Sequence, residues 1–145
     1  MENFVMDFTP WAIVAGGYLV GSIVPGVLFV RLARGEDIRR LGSGNVGATN
    51  VGRVLGLPFA LLTFAWDAFK GFGVCWFAQR LVLPPSFVVA GGLAAFLGHL
   101  YPCFFGFRGG KGVATAFGVV LALDPRVATI SLGVWIVTLL FWKRA

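Results

Sequence analysis

Two glycine-rich, cationic stretches carry the residues of this chain that could do chemistry. The first is Gly42-Ser43-Gly44-Asn45-Val46-Gly47-Ala48-Thr49-Asn50, closed by Arg53. The second is Gly106-Phe107-Arg108-Gly109-Gly110-Lys111-Gly112. Glycines let backbone N–H groups approach and surround an anion, and Arg53, Arg108 and Lys111 add full charge. The apolar run Val113–Leu123 follows the second stretch. If it is helical, its first N–H groups point back at Gly109–Gly112 and favour a bound phosphate. Tight glycine turns with interfacial Lys and Arg anchors are the alternative for either stretch alone. Together, beside membrane-grade apolar segments, they point to a site for a phosphate-bearing molecule at the membrane surface, because irregular backbone there must be hidden in protein or line a wet cavity.

Ser43 is either a nucleophile or a hydrogen-bond donor. A nucleophile needs a base. His99 is the sole histidine, and Leu41 stands where a G-x-S-x-G elbow needs glycine, so the donor role is favoured. His99, in Gly98-His99-Leu100-Tyr101-Pro102, is either a satisfied interfacial polar residue or a substrate contact. Asn45, Thr49 and Asn50 bind substrate or tie their loop together, and Asp37 with Arg39 and Arg40 reads as a surface turn. Asp67 and Lys70 share one helix face and can pair; ionisable residues inside a membrane mark a functional site or, as favoured here, form a structural ion pair that fixes their helix against the first loop. Gly42 to Gly47 fits G-x-G-x-x-G, but it follows no strand of a βαβ unit, so the dinucleotide reading fails. The second stretch fails as a P-loop, because Phe105 and Gly112 stand where Gly and Ser or Thr are needed.

The elements that must position these residues are membrane helices. Of 145 residues 58% are hydrophobic and 12% charged, with a mean hydropathy of +0.87, whereas soluble domains carry about 25% charged residues. The sequence predicts one domain, residues 1–145, an all-α integral membrane protein with about five apolar helical segments. They are Trp11–Val30 with Pro25 kinking it near its end, then Val54–Ala78, Ser86–Phe105, Val113–Leu123 and Arg126–Trp142, with a polar loop from Arg31 to Arg53. Val113–Leu123 is too short to cross alone unless its helix begins near Phe104, and is otherwise re-entrant. With the N-terminus outside, Arg31, Arg34, Arg39, Arg40, Arg53, Arg108, Lys111, Lys143 and Arg144 fall inside and only Arg80 and Arg126 outside. That asymmetry places both glycine-rich stretches in the cytoplasm. The net charge of +6 then belongs to topology and anionic head groups or substrates, not nucleic acid. Met1–Pro10 holds Glu2 and Asp7 and no cation, unlike a cleaved signal, which begins basic. Cys75 and Cys103 read as small core hydrophobes.

These residues also form a family pattern. Gly21-Ser22-Ile23-Val24-Pro25-Gly26, Asp37-Ile38-Arg39 and the first glycine-rich stretch with Arg53 resemble the first motif of the bacterial acyl-phosphate:glycerol-3-phosphate acyltransferases, the PlsY family. Gly98-His99 with Tyr101-Pro102, then Phe107 to Thr115, resembles the second, and Asp67-x-x-Lys70-Gly71 also fits. The resemblance implies a fold of about seven membrane helices and a third motif with a His, an Asn and a Glu. This chain ends in its fifth apolar segment, before any such motif, and so resembles the first two-thirds of a family member. It implies transfer of a fatty acyl group from acyl phosphate to the 1-hydroxyl of glycerol 3-phosphate at the bacterial inner membrane. Ser43, Arg53 and Lys111 would be the essential polar residues, and Gly109, Gly110 and Gly112 would shape the glycerol-3-phosphate site. An acyl phosphate is already activated, so no cofactor and no metal is expected. A membrane protein that binds phosphate or anionic lipid without catalysis is the other reading.

Overall fold

The computed structural model describes residues 8–142. Glu2, Asp7, Lys143 and Arg144, used above for the signal and topology arguments, lie outside the described residues. In chain order the helices are α1 Thr9–Gly21, α2 Pro25–Arg34, α3 Ala48–Leu55, α4 Leu57–Arg80, α5 Pro85–Leu100, α6 Val113–Leu123 and α7 Pro125–Trp142. Two 3-10 turns, Ile38–Arg40 and Cys103–Phe105, lie in the connections. The chain is an all-α integral membrane protein, with no strand among the described residues.

The first apolar segment is two helices rather than the expected single kinked one. Pro25 has no N–H for the carbonyl of Gly21, and its ring crowds that carbonyl. The chain therefore closes α1 on Ser22, whose N–H and hydroxyl both reach the carbonyl of Tyr18, at 2.9 Å and 2.8 Å. After the break the N–H of Val27 bonds to Val24 at 3.2 Å, which leaves the carbonyl of Ile23 outside both helices. Lys70 of α4 donates to it at 2.9 Å.

The expected polar loop from Arg31 to Arg53 is also structured. Its last part is α3, which carries Arg53 in its final turn. The reason is a small core of its own: Val24, Val27, Val30, Ile38, Val46 and Val51 are fully buried against one another. Gly56, at φ 93°, then separates α3 from α4, a conformation that only glycine adopts without strain.

Small residues set the helix spacing. A Cβ added at Gly21 of α1 would run into the backbone of Ala95 of α5, and one at Gly71 of α4 into the carbonyl of Thr115 of α6. Such close approach is how helices associate in lipid.

Helix α6 begins at Val113, and the earlier start near Phe104 does not occur. Gly106, Phe107 and Gly112 have φ of 67°, 57° and 74°, values no right-handed helix tolerates. Eleven residues make about 16 Å. That length suffices because α6 lies beside only the C-terminal part of α4: Thr115 packs on Gly71, and Gln79 Nε2 donates to the carbonyl of Ala122 at 3.0 Å. The loop before α6 must therefore reach into the bundle. The α1–α2 break and the end of α5 meet it at the same depth, since Ile23 and His99 both contact Lys70.

Candidate functional site

Three interruptions of helical backbone at one depth make a place where polar groups can sit inside the bundle. Asp67 and Lys70 occupy it as the pair their spacing predicts. Asp67 Oδ1 lies 2.9 Å from Lys70 Nζ, with both side chains no more than 3% exposed. His99 joins them, its Nδ1 2.9 Å from Lys70 Nζ and 3.3 Å from Asp67 Oδ1. The carboxylate oxygen is held by charge rather than by a well-aligned hydrogen bond.

A cavity of about 460 Å³ lies against this cluster, with Asp67 and His99 in its wall. Ser43, Asn45, Thr49, Asn50 and Arg53 line it from the first stretch, and Lys111 and Gly112 from the second. Among the described residues every ion pair uses Asp37 or Asp67 with Arg31, Arg39, Lys70 or His99. Among the described residues Arg53 and Lys111 therefore have no acidic partner. Two helix starts also border the cavity, Gly47-Ala48 of α3 and Val113-Ala114 of α6. The first N–H groups of a helix lack partners inside it and carry partial positive charge. Two full cations and two helix N-termini around one cavity give it a positive lining that suits an anion.

Asn50 organises the loop above. It is 1% exposed. Its Oδ1 accepts from the N–H of Ser43, and its Nδ2 donates to the carbonyls of Leu41 and Asn45, each at 2.9 Å. Both amide donors are thus used to curl the chain around Ser43. Gly42, at φ 55°, passes so close to Asn50 that a Cβ would strike Oδ1. Gly44, at φ 72°, completes the same turn.

Gly42, Gly44, Arg108, Gly109 and Gly110 are not in the cavity wall. The N–H groups of Gly109 and Gly110, expected to face an anion, donate instead to the carbonyls of Leu100 and His99, at 3.0 Å and 3.1 Å. They dock the second loop on the end of α5. A Cβ at Gly109 would strike the His99 carbonyl and one at Gly110 the His99 ring, so these glycines permit contact rather than cradle a ligand. Arg108 is exposed.

The wall also holds Asp67, Phe64 and Trp135, which the sequence reading did not assign to it. Phe64 lies three residues before Asp67 on α4, a spacing that places both on one face and could have revealed it. Trp135 of α7 had no sequence signal, since its place depends on how α7 returns against α6.

The two loops are tied together outside the cavity. Asp37 Oδ1 accepts from the backbone N–H and Nε of Arg39, at 3.0 Å and 3.2 Å, and Arg39 Nη1 donates to the carbonyl of Phe105 at 2.9 Å. Partial burial disfavours charge on Asp37, but the Arg39 N–H and the guanidinium groups of Arg39 and Arg31 outweigh it and hold its carboxyl below the usual range.

On the other side of the buried cluster, a second cleft of about 900 Å³ opens between α1 and α4, with Lys70 in a wall otherwise made of groups such as Ile13, Val20, Trp66 and Phe69. The Asp67–Lys70 pair thus separates a polar cavity from an apolar cleft.

A family profile described as "Glycerol-3-phosphate acyltransferase" matches residues 11–145. The glycerol-3-phosphate acyltransferase of Geotalea daltonii is 47% identical over 131 residues, 90% of this chain and 67% of that protein. That of Aquifex aeolicus is 51% identical over 128 residues, 88% of this chain and 66% of that protein. The crystal structure of PlsY (YgiH), an integral membrane glycerol 3-phosphate acyltransferase, in its glycerol 3-phosphate form, superposes with a TM-score of 0.86 at 46% identity, over 92% of this chain and 66% of that one. Its lysophosphatidic acid form gives 0.83 at 44% identity, with the same coverage. The chain spans about two-thirds of the length of these relatives.

Proposed function

This chain belongs to the glycerol-3-phosphate acyltransferase family, and from that membership we propose that it transfers a fatty acyl group from acyl phosphate to the 1-hydroxyl of glycerol 3-phosphate. The products are lysophosphatidic acid and inorganic phosphate. The carrying observation is the pair of acid-free cations, Arg53 and Lys111, facing one cavity that two helix N-termini also border.

Acyl phosphate is a mixed anhydride. The glycerol hydroxyl attacks its carbonyl carbon, the carbonyl oxygen gains charge, and the C–O bond to phosphate then breaks. Arg53 and Lys111 offset the charge on the phosphate groups and the oxyanion, and Ser43 donates a hydrogen bond. Such preorganised groups act more strongly in a water-poor site than in water. No protein base is needed if a phosphate oxygen takes the hydroxyl proton. The apolar cleft between α1 and α4 has the chemistry to hold an acyl chain beside the buried pair.

The test is acyl transfer to radiolabelled glycerol 3-phosphate by purified protein, offered acyl phosphate or acyl-coenzyme A. Lysophosphatidic acid formed from acyl phosphate alone supports the proposal. Binding of glycerol 3-phosphate without transfer would favour a non-catalytic phosphate-binding role for this chain. The cation asymmetry further supports a multi-pass protein of the bacterial inner membrane with the cavity facing the cytoplasm. In a background lacking Cys75 and Cys103, Arg108→Cys should react with an impermeant thiol reagent only after lysis. Labelling in intact cells would reverse that orientation.

A further inference from the structure

His99 is the only histidine of the chain, and the cluster around it settles which nitrogen carries its proton. Lys70 Nζ has three donors and no acceptor as an ammonium. It stands 2.9 Å from three atoms: Asp67 Oδ1, the carbonyl oxygen of Ile23 and His99 Nδ1. The Ile23 carbonyl accepts a hydrogen bond, Asp67 Oδ1 offsets the charge, and His99 Nδ1 can accept from the ammonium only if it offers a lone pair. A proton on Nδ1 would point at a cation, whereas the carboxylate that could accept it is farther away, at 3.3 Å.

We infer that Lys70 is a positioning residue that holds His99 in the tautomer protonated at Nε2. The second nitrogen lies against Gly110, next to Lys111 and Gly112 of the cavity wall, and among the described residues no protein group accepts from it. His99 thereby presents a hydrogen-bond donor to the cavity and has no free lone pair there. It serves as a third fixed donor for an anionic oxygen and not as the base that activates the hydroxyl. The helix break at Pro25 is part of this device, because it frees the Ile23 carbonyl that anchors the ammonium. The Asp67–Lys70 pair, for which the sequence favours a structural role, thus sets the hydrogen-bonding sense of a cavity residue. The consequence for substrate rests on reading the cavity as the glycerol-3-phosphate site, whereas the tautomer does not.

Histidine-selective 15N labelling gives a spectrum of one residue, and at a pH where the ring is neutral the two nitrogens report which is protonated. The wild-type chain in detergent should show the proton on Nε2 and an accepting Nδ1. Lys70→Met should move the proton to Nδ1, where Asp67 can take it, and Lys70→Arg should keep it on Nε2. A wild-type spectrum with the proton on Nδ1 overturns the inference, whether or not Lys70→Met folds. So does a folded Lys70→Met with the wild-type pattern. Adding glycerol 3-phosphate should shift the Nε2 resonance. The expected tautomer without that shift leaves the role of Lys70 standing and removes His99 from the substrate site.

Discussion

Arg39 reaches across 66 positions of chain to donate to the backbone carbonyl of Phe105 at 2.9 Å, and this bond joins the two glycine-rich loops. Asp37 braces it by accepting from Arg39 Nε. Arg39→Met should leave the helices intact and let the loops separate. A hydrogen bond from a charged group typically contributes about 1.5–3 kcal/mol, so KM for glycerol 3-phosphate should rise by about tenfold or more while kcat falls less. Steady-state kinetics that show a pure kcat defect would move Arg39 from holding the loops to acting on the chemistry.

The acid-free cations should matter far more. Arg53→Ala and Lys111→Ala should each reduce kcat/KM by about 100-fold to 1,000-fold, the typical effect of losing one preorganised stabilising group. Lys111→Arg should rescue only in part, because a planar fork does not replace a compact ammonium. Next to Lys111, a Cβ at Gly112 would already strike Phe96, so the backbone has little room to adapt. Near-normal turnover in Lys111→Ala would remove its assigned role.

Ser43 and Asp67 share a cavity wall and should fail differently. Ser43 is exposed on its loop, so Ser43→Ala should fold normally and turn over slowly. Asp67→Ala strands a buried ammonium, and breaking such a pair typically costs about 3–5 kcal/mol. Its monodisperse yield in detergent should drop. A well-folded, inactive Asp67→Ala would instead give the carboxylate a role in the site, by direct contact or through Lys70 and His99.

Two glycines of α1 offer a contrast in packing. A Cβ at Gly16 meets nothing within 4 Å, whereas at Gly21 it runs into the backbone of Ala95. Gly16→Ala should keep the wild-type melting temperature. Gly21→Ala must push α1 from α5, and a large loss of folded protein is expected. Equal melting temperatures for the two would mean that the helices can shift without penalty.

Much of this protein was legible before folding. A bilayer core demands long apolar segments, so composition alone specified an all-α membrane protein, and α6 and α7 fall where the apolar runs lie. The Asp67–Lys70 pair followed from helical spacing, because neighbours three apart share a face in any helix. The two cationic glycine-rich stretches were equally visible, since few other residue types stand between such apolar segments.

What the sequence could not determine depends on contacts between distant segments. Whether Gly109 and Gly110 offer their N–H groups to a ligand was decided by the end of α5, whose carbonyls take them. Arg31 to Arg53 read as a polar loop because its valines and Ile38 are spread thinly along the chain, and they form a core only once α2 and α3 meet. Trp135 entered the cavity wall through the return of α7. Most of all, the bonding of His99 was decided by a lysine 29 positions away and a carbonyl freed by Pro25. A hydrogen bond has a range of about 3 Å, so its partners are set by which segments fold to that distance and not by their order along the chain.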